Sequence, residues 1–448
     1  MKKPLLWLLL ATVAAVAAVP SSGPSWSPSA DFASDPTRAA LVSAALSRRP
    51  EVAQATALAS AESHRAQAAN ALPDPNVGVG VQNDSFSDWT VGQMETSYYF
   101  ASISQTFPWS GRRGLRQESA RARRQWAEAN ADRARLSTVA EVERAYVDLL
   151  LARGRLQLQT RLEAVWKDAE AAARARYEVG QGAQADFLRA QLERNRLKQR
   201  RYQLEAAEKS AVAALNRLRV AEDGATVETP VELSAFADPA LPAAEAAVAE
   251  AEAKSPELAA ARALSEQAGY EVALSEKNLY PDLTVAATVM PRGGDFPTMW
   301  QLGVSAPVPL WAKSKQYQEL AESQARKTAA EKSAESVRLL LRQRVQERLA
   351  ALEAATQSNR LYRSGLLTQS EAVASSVLAQ YRTGGSFLAV LEAWSGYLAD
   401  VDGFFQSIAT ARKVKTQMDE VSLDPVGGGA AVAETPGGAA PASGAGGM

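Results

Sequence analysis

The side chains able to do covalent chemistry are scarce. Among 448 residues there is one histidine, His64, and no cysteine. One histidine cannot build a catalytic triad or a multi-histidine metal site. Without cysteine there is no disulfide, thiolate ligand or lipidated N-terminal Cys. No G-x-x-x-x-G-K-[ST] sequence cradles a nucleotide phosphate. The six methionines are scattered, and Met290 and Met299, beside a turn, are expected to face lipid or loop rather than a soft metal. Charge is balanced, 49 Lys+Arg against 50 Asp+Glu, so no polyanionic partner is called for and nucleic acid is not expected. The reading is therefore of a protein that is no enzyme and carries no cofactor or metal. The chemistry left to it is electrostatic and mechanical.

The N-terminus points to export. Met1-Lys2-Lys3 is a short basic region, Leu5 to Val19 is apolar, and Ala15-Val16-Ala17 fits an A-x-A cleavage pattern before the breaker Pro20-Ser21-Ser22-Gly23. The apolar run is shorter than the roughly 20 residues of a spanning helix, which predicts a signal peptide over 1–20 cleaved near 17–23. No later stretch reads as a transmembrane helix, so any membrane entry must be made by strands.

The chain is duplicated. Pro50-Glu51-Val52 recurs as Pro256-Glu257-Leu258, and Asn70-Ala71-Leu72-Pro73-Asp74 as Asn278-Leu279-Tyr280-Pro281-Asp282. Phe107-Pro108-Trp109 recurs as Val308-Pro309-Leu310, and Tyr177-Glu178-Val179-Gly180 as Tyr381-Arg382-Thr383-Gly384. The copies keep the same order at offsets of 201 to 208 residues, which chance matches would not. The repeats are placed at 35–220 and 243–420, joined by a linker or small intermediate element at 221–242. A disordered Gly/Ala/Pro tail is expected over 422–448, and residues 18–36 read as similarly loose.

Each repeat reads as a helix, two strands and a very long helical hairpin. Strands are expected at about 76–82, 97–107, 282–290 and 299–308, from alternations such as Val77-Val79-Val81 and Trp300-Leu302-Val304. Each is near the 9–11 residues that a tilted strand needs to cross a bilayer. Their polar face is small, as a water-filled lumen requires. Aromatics at the strand ends, Trp89, Tyr98 and Trp109 in one half and Tyr280, Trp300 and Trp311 in the other, suit interfacial girdles. A soluble half-buried hairpin pair would alternate in the same way. Four strands cannot close, open edges are not tolerated in lipid, and barrels start at about 8 strands, so copies must share one barrel. Three would make it twelve-stranded.

From Gly111 to Gly180, and from about Ser314 to Gly384, little breaks a helix beyond Gly154 and Gly365. A helix of roughly 65 residues is about 100 Å long. Apolar residues at spacings of three and four, Val139, Val142, Tyr146 and Leu149, then Leu388, Leu391, Trp394, Leu398, Val401, Phe405 and Ile408, describe a coiled-coil-like seam. A periplasmic coiled-coil adaptor or scaffold also carries such hairpins, though one flanked by β-rich halves rather than two preceded by strands.

Over residues 35–420 the chain resembles the TolC-type outer-membrane efflux protein family. The residues that carry the likeness are the paired Pro-Glu and Pro-Asp landmarks, the stretch Ser104-Gln105-Thr106-Phe107-Pro108-Trp109-Ser110-Gly111-Arg112-Arg113, and the two Tyr-x-x-Gly tips. That stretch looks most like the heavy-metal cation efflux branch. The resemblance implies a mostly α fold with β membrane strands, in a homotrimer whose twelve-stranded barrel continues as a long periplasmic α-helical barrel. It implies a passive exit duct in the outer membrane, in contact with outer-membrane lipid. Such a duct docks a periplasmic adaptor at its helical tips, is driven by an inner-membrane pump and opens by an iris-like movement. A type I secretion channel is the alternative within this class.

Carried over by the resemblance, Val179, Gly180 and Gln181 form one adaptor-docking tip and Thr383, Gly384 and Gly385 the other, although Gln181 departs from the family's hydrophobic residue. Asp186 falls on an aspartate that hydrogen-bonds a tyrosine of the second tip, here Tyr381, and Asp186 reads equally as a helix cap. An arginine of the family's closed-state lock has no counterpart, since Ser386 occupies that region. Glu392 falls on a carboxylate that rings the constriction, and reads equally as part of a solvated helix face. Three such charges near a narrow axis would concentrate cations.

Overall fold

The structure, a computed structural model, describes residues 28–425. The expected signal segment and the tail beyond residue 425 lie outside these residues. Each repeat opens with two helices where one was expected: α1 (Pro36–Arg48) and α2 (Pro50–Ala68), then α5 (Ala244–Lys254) and α6 (Pro256–Lys277). The Pro-Glu landmarks are the cause. Proline crowds the residue before it out of the helical region, and Arg49 and Ser255 are both extended, at ψ 123° and 116°. A new helix then starts on the proline, whose missing N–H costs nothing there.

The strands β1 (Asn76–Gln82), β2 (Tyr98–Phe107), β3 (Leu283–Met290) and β4 (Met299–Ser305) form one antiparallel sheet in the order β1-β2-β3-β4. Strand β4 stops at Ser305 rather than 308, because Pro307 and Pro309 have no N–H to continue a ladder. The hairpins superpose in register: Asn76 faces Ser104 as Thr284 faces Ser305, and the landmarks make these residues equivalent. One face exposes Val77, Val79, Val81, Tyr99, Ile103, Trp300, Leu302 and Val304. The other carries Gly78, Gly80, Ser102, Ser104, Thr288, Gln301 and Gly303.

Alternation corrects three expectations. Tyr98 lies on the polar face and donates its hydroxyl to Gln82 Oε1 (2.8 Å), so Tyr99, tilted against Trp89 at 6.1 Å, is the apolar-face aromatic at that end. Phe100 also lies on the polar face and covers Gly80, where a Cβ would come within 2.5 Å of its ring. Met290 pairs with Met299 on that same polar face, opposite the apolar one.

The first long helix, α3 (Arg112–Glu178), runs 67 residues, about 100 Å at 1.5 Å per residue. It returns as α4 (Gln184–Leu218). The second is divided into α7 (Gln316–Leu361), a π turn at Tyr362–Leu366 and α8 (Leu367–Arg382), and returns as α9 (Phe387–Glu420). Helix α3 packs between α4 and α9, and α8 lies beyond α9, so α4 and α8 are the outer members. A continuous core joins Val142, Tyr146, Leu149 and Leu150 of α3 to Val401, Phe404 and Ile408 of α9. No helix among the described residues is long and apolar enough to cross a membrane.

The segments expected to be loose are partly built in. Ala30 bridges Phe236, Phe32 is buried, and Asp35 both caps Thr37 N–H (3.0 Å) and accepts from Tyr146 Oη (2.6 Å). The intermediate element contributes Val227, Leu233 and Phe236 to the core. Ser422 and Asp424, placed in the tail by composition, instead receive Arg348 Nη2 at 2.9 and 2.8 Å. The π turn aims Arg363 at Asp238 Oδ2 (2.9 Å) and Phe236 O (3.0 Å). Arg412 lies buried against the paired rings of Phe32 (5.1 Å) and Phe236 (5.9 Å), and its burial lowers its pKa to about 10 against the pull of Asp238 and Asp31.

Candidate functional site: the two helical tips

Both long helices end in glycine turns that close in the same way. In the first, Gly180 N–H bonds Tyr177 O (3.0 Å) and Gln181 N–H bonds Arg176 O (2.8 Å). In the second, Gly384 N–H bonds Tyr381 O (3.2 Å) and Gly385 N–H bonds Gln380 O (2.9 Å). This reversal needs positive φ, which Gly180 (+73°) and Gly384 (+126°) supply without a Cβ penalty. Open space surrounds both, whereas a Cβ on Gly385 would meet Gln380 O at 3.0 Å. Val179 is 67% exposed at the first tip. The second tip is one residue shorter, its return helix starting from Ser386 where the first starts from Ala183.

Tyr381 is fully buried. Its ring lies edge-on to Phe387 (5.2 Å), which is edge-on to Trp166 (6.3 Å), so the second tip is anchored on α3. Among the described residues the Tyr381 hydroxyl makes no close hydrogen bond, with Asp186 and Arg176 its polar neighbours. Burial first, then the negative charge of Asp186, raises the phenol above its ordinary pKa of 10. Asp186 and Tyr381 are thus neighbours, the carboxylate lying within electrostatic reach of the hydroxyl without a short bond to it. Nor does Asp186 cap a helix: Ala183 stands at the cap position, and Asp186 lies within the first turn of α4 with Arg189 3.7 Å away. There its charge favours the helix N-terminus.

The residue that ties the tips together was missed by sequence reading. Arg176, on α3, donates Nη1 to Tyr381 O (2.6 Å) and Gly385 O (3.3 Å), and Nη2 to Gln181 O (3.1 Å). Its guanidinium also sits over the Tyr381 ring at 4.6 Å. A planar fork of donors suits several carbonyls converging on one point. The signal was present in the duplication. Tyr177 matches Tyr381, so Arg176 matches Gln380, and only the first repeat carries the cation. Glu392 is exposed on α9 and forms no ion pair among the described residues. Asp402, further along that helix, is neutralised by Arg155 at 2.7 Å.

At the sheet, aromatics stand at both ends. Trp89 and Trp300 stand at the turn end. Trp109, Tyr280 and Trp311 stand at the helix end, with Trp109 stacked on Tyr280 at 5.1 Å and 9°. Among the described residues no group of three or more His, Cys, Asp or Glu is arranged to hold a metal ion.

A sheet with one apolar exposed face, set on helices of about 100 Å that end in paired glycine tips, defines a channel-forming protein of the outer membrane. The chain belongs to the outer membrane efflux protein family, whose profile matches residues 41–221 and 247–397. No curated protein matches. Among solved structures, the open state of the MtrE outer-membrane channel of Neisseria gonorrhoeae is similar at TM-score 0.74 and 20% identity, over 86% of this chain and 88% of that one. The outer-membrane channel OprN is similar at 0.73 and 20%, over 86% and 90%. The outer-membrane protein VceC of Vibrio cholerae is similar at 0.71 and 15%, over 86% and 95%. The protein is thus an outer-membrane efflux duct, extending from the bacterial outer membrane into the periplasm and serving tripartite pumps. The periplasmic adaptor and type I secretion readings give way to this one.

Proposed function

We propose that the chain works as a homotrimer whose three sheets close one twelve-stranded barrel above a shared helical barrel. One observation carries this: in the order β1-β2-β3-β4, the outer edges of β1 and β4 have no partner among the described residues although their apolar face is exposed. Unpaired backbone groups in lipid cost several kcal/mol each, so the edges must meet copies of themselves. The outer helices agree, with Leu188, Leu192 and Tyr202 exposed on α4 and Val373 on α8. Detergent-extracted outer membrane should yield a heat-modifiable trimer. A monodisperse folded monomer in mild detergent would overturn the proposal.

In this reading the tips at Val179, Gly180, Gln181 and Thr383, Gly384, Gly385 dock a periplasmic adaptor, which couples the duct to an inner-membrane pump. Opening is an iris-like movement of one hairpin against the other. Asp186 and Tyr381 lie at the moving junction, and the three Glu392 carboxylates ring the narrow end. The duct itself is passive and binds no cofactor. The heavy-metal cation branch, suggested by Gln105 to Arg113, is its more specific form.

A further inference from the structure

The two hairpins of one chain meet along β2 and β3, and the foot of that junction is closely built. Arg112 Nη1 donates to Asp282 Oδ1 (2.6 Å), and the same oxygen accepts the Trp109 N–H (2.8 Å). Arg112 Nη2 holds Lys277 O (2.8 Å) and Tyr280 O (3.1 Å). The Trp109 indole stacks on Tyr280, and the hydroxyls of Thr106 and Thr284 meet at 2.9 Å. Each pair joins the end of the first repeat's second strand to the start of the second repeat's first strand.

The duplication gives every key member an equivalent. Asp282 matches Asp74, Tyr280 matches Leu72, Trp109 matches Leu310 and Arg112 matches Lys313. All four equivalents stand at the open edges of the sheet, Leu72 and Asp74 before β1, Leu310 and Lys313 after β4. They are the edge residues left without partners. Leu310 is 75% and Leu72 41% exposed, and neither Asp74 nor Lys313 has an ion pair among the described residues.

We infer that the junction between neighbouring copies repeats the one inside the chain. Lys313 of one copy binds Asp74 of the next, and Leu310 covers Leu72 of the next. Carrying the β2–β3 register across the repeat sets Leu302 opposite Val81, Val304 opposite Val79, Gly303 opposite Gly80 and Ser305 opposite Gly78. Large apolar residues then pair on the lipid face and the smallest on the lumen face. A slip of one residue would turn the valines into the lumen, which is what makes the register specific. The occupant of both edges is a second copy of this chain, so the inference rests on the ring-of-copies reading and adds its side-chain contacts and register.

The absence of cysteine makes a direct test possible. The full-length Asp74→Cys/Lys313→Cys variant in outer membranes, treated with an ethylene-bridged bis-thiosulfonate, should give a covalent ladder ending at the trimer on boiled denaturing gels. Each single variant should give none. A variant that migrates as an oligomer before heating but yields no ladder overturns the inference and leaves the ring intact. An unmodified protein that never forms an oligomer overturns the ring itself. Charge exchange supplies the second arm: Asp74→Lys and Lys313→Asp should each lower the temperature at which the oligomer dissociates, and the double exchange should restore it. A double variant no better than the singles rejects the pair.

Discussion

The first repeat and the second share a backbone but not a set of side chains. Their hairpins superpose in register and their helical tips close with the same two backbone bonds. The first repeat sends out Arg112 and Arg176, each gripping the second repeat through several carbonyl or carboxylate oxygens. The second repeat has Lys313 and Gln380 at those positions. Its long helix is also broken by a π turn where the first runs on without interruption. Backbone symmetry therefore sets where contacts can form, and the arginines decide which of them lie inside one chain. Contacts between hairpins of one chain are strong and multidentate.

The largest effect is expected at the turn glycines. Gly384→Val forces a β-branched residue to φ +126°, a strain of about 1–3 kcal/mol at each tip. It should abolish efflux-dependent resistance in cells while the trimer still assembles, and Gly180→Asn, at φ +73°, should be tolerated. Loss of the trimer in both would make these glycines folding residues rather than docking ones. Next comes Arg176→Gln, which makes the first tip like the second. Losing its charged hydrogen bonds removes about 1.5–3 kcal/mol from the contact between hairpins. Resting conductance in planar bilayers should rise several-fold, and an unchanged conductance would mean the asymmetry between repeats has no part in gating.

A smaller change is expected from Glu392→Gln, which should shift the reversal potential in a salt gradient toward lower cation preference without opening the duct. Smallest of all is Tyr381→Phe. The hydroxyl it removes makes no close hydrogen bond among the described residues, so any change in conductance should be small, and Arg176 keeps its grip through the Tyr381 carbonyl. A several-fold rise would show that the hydroxyl does bond Asp186 in the assembled closed state.

Much of the architecture was legible in the residues. The alternation Val77-Val79-Val81 and the glycines at Gly180 and Gly384 depend on local rules, a two-residue period and the steric freedom of glycine at positive φ. The prolines at Pro50 and Pro256 marked helix starts, but not the separate helices before them, because α1 and α5 are short, at 13 and 11 residues. Tyr98 and Met299 were misplaced for another reason. A one-residue uncertainty in where alternation starts moves a side chain to the opposite face.

The sequence by itself determined the duplication, the strand-and-hairpin order and the expectation of an export signal. Those follow from residue identity and spacing along one chain. Only the tertiary structure decided that Arg176 ties the two tips together through the Tyr381 and Gly385 carbonyls. It also decided that Arg412 is packed against the paired rings of Phe32 and Phe236, residues far from it in sequence. A hydrogen bond or a buried cation depends on distances between segments 200 or more residues apart, such as Arg176 and Tyr381. No local period carries that information. It arises when the helices pack and the backbone carbonyls of one tip come within reach of a side chain on the other.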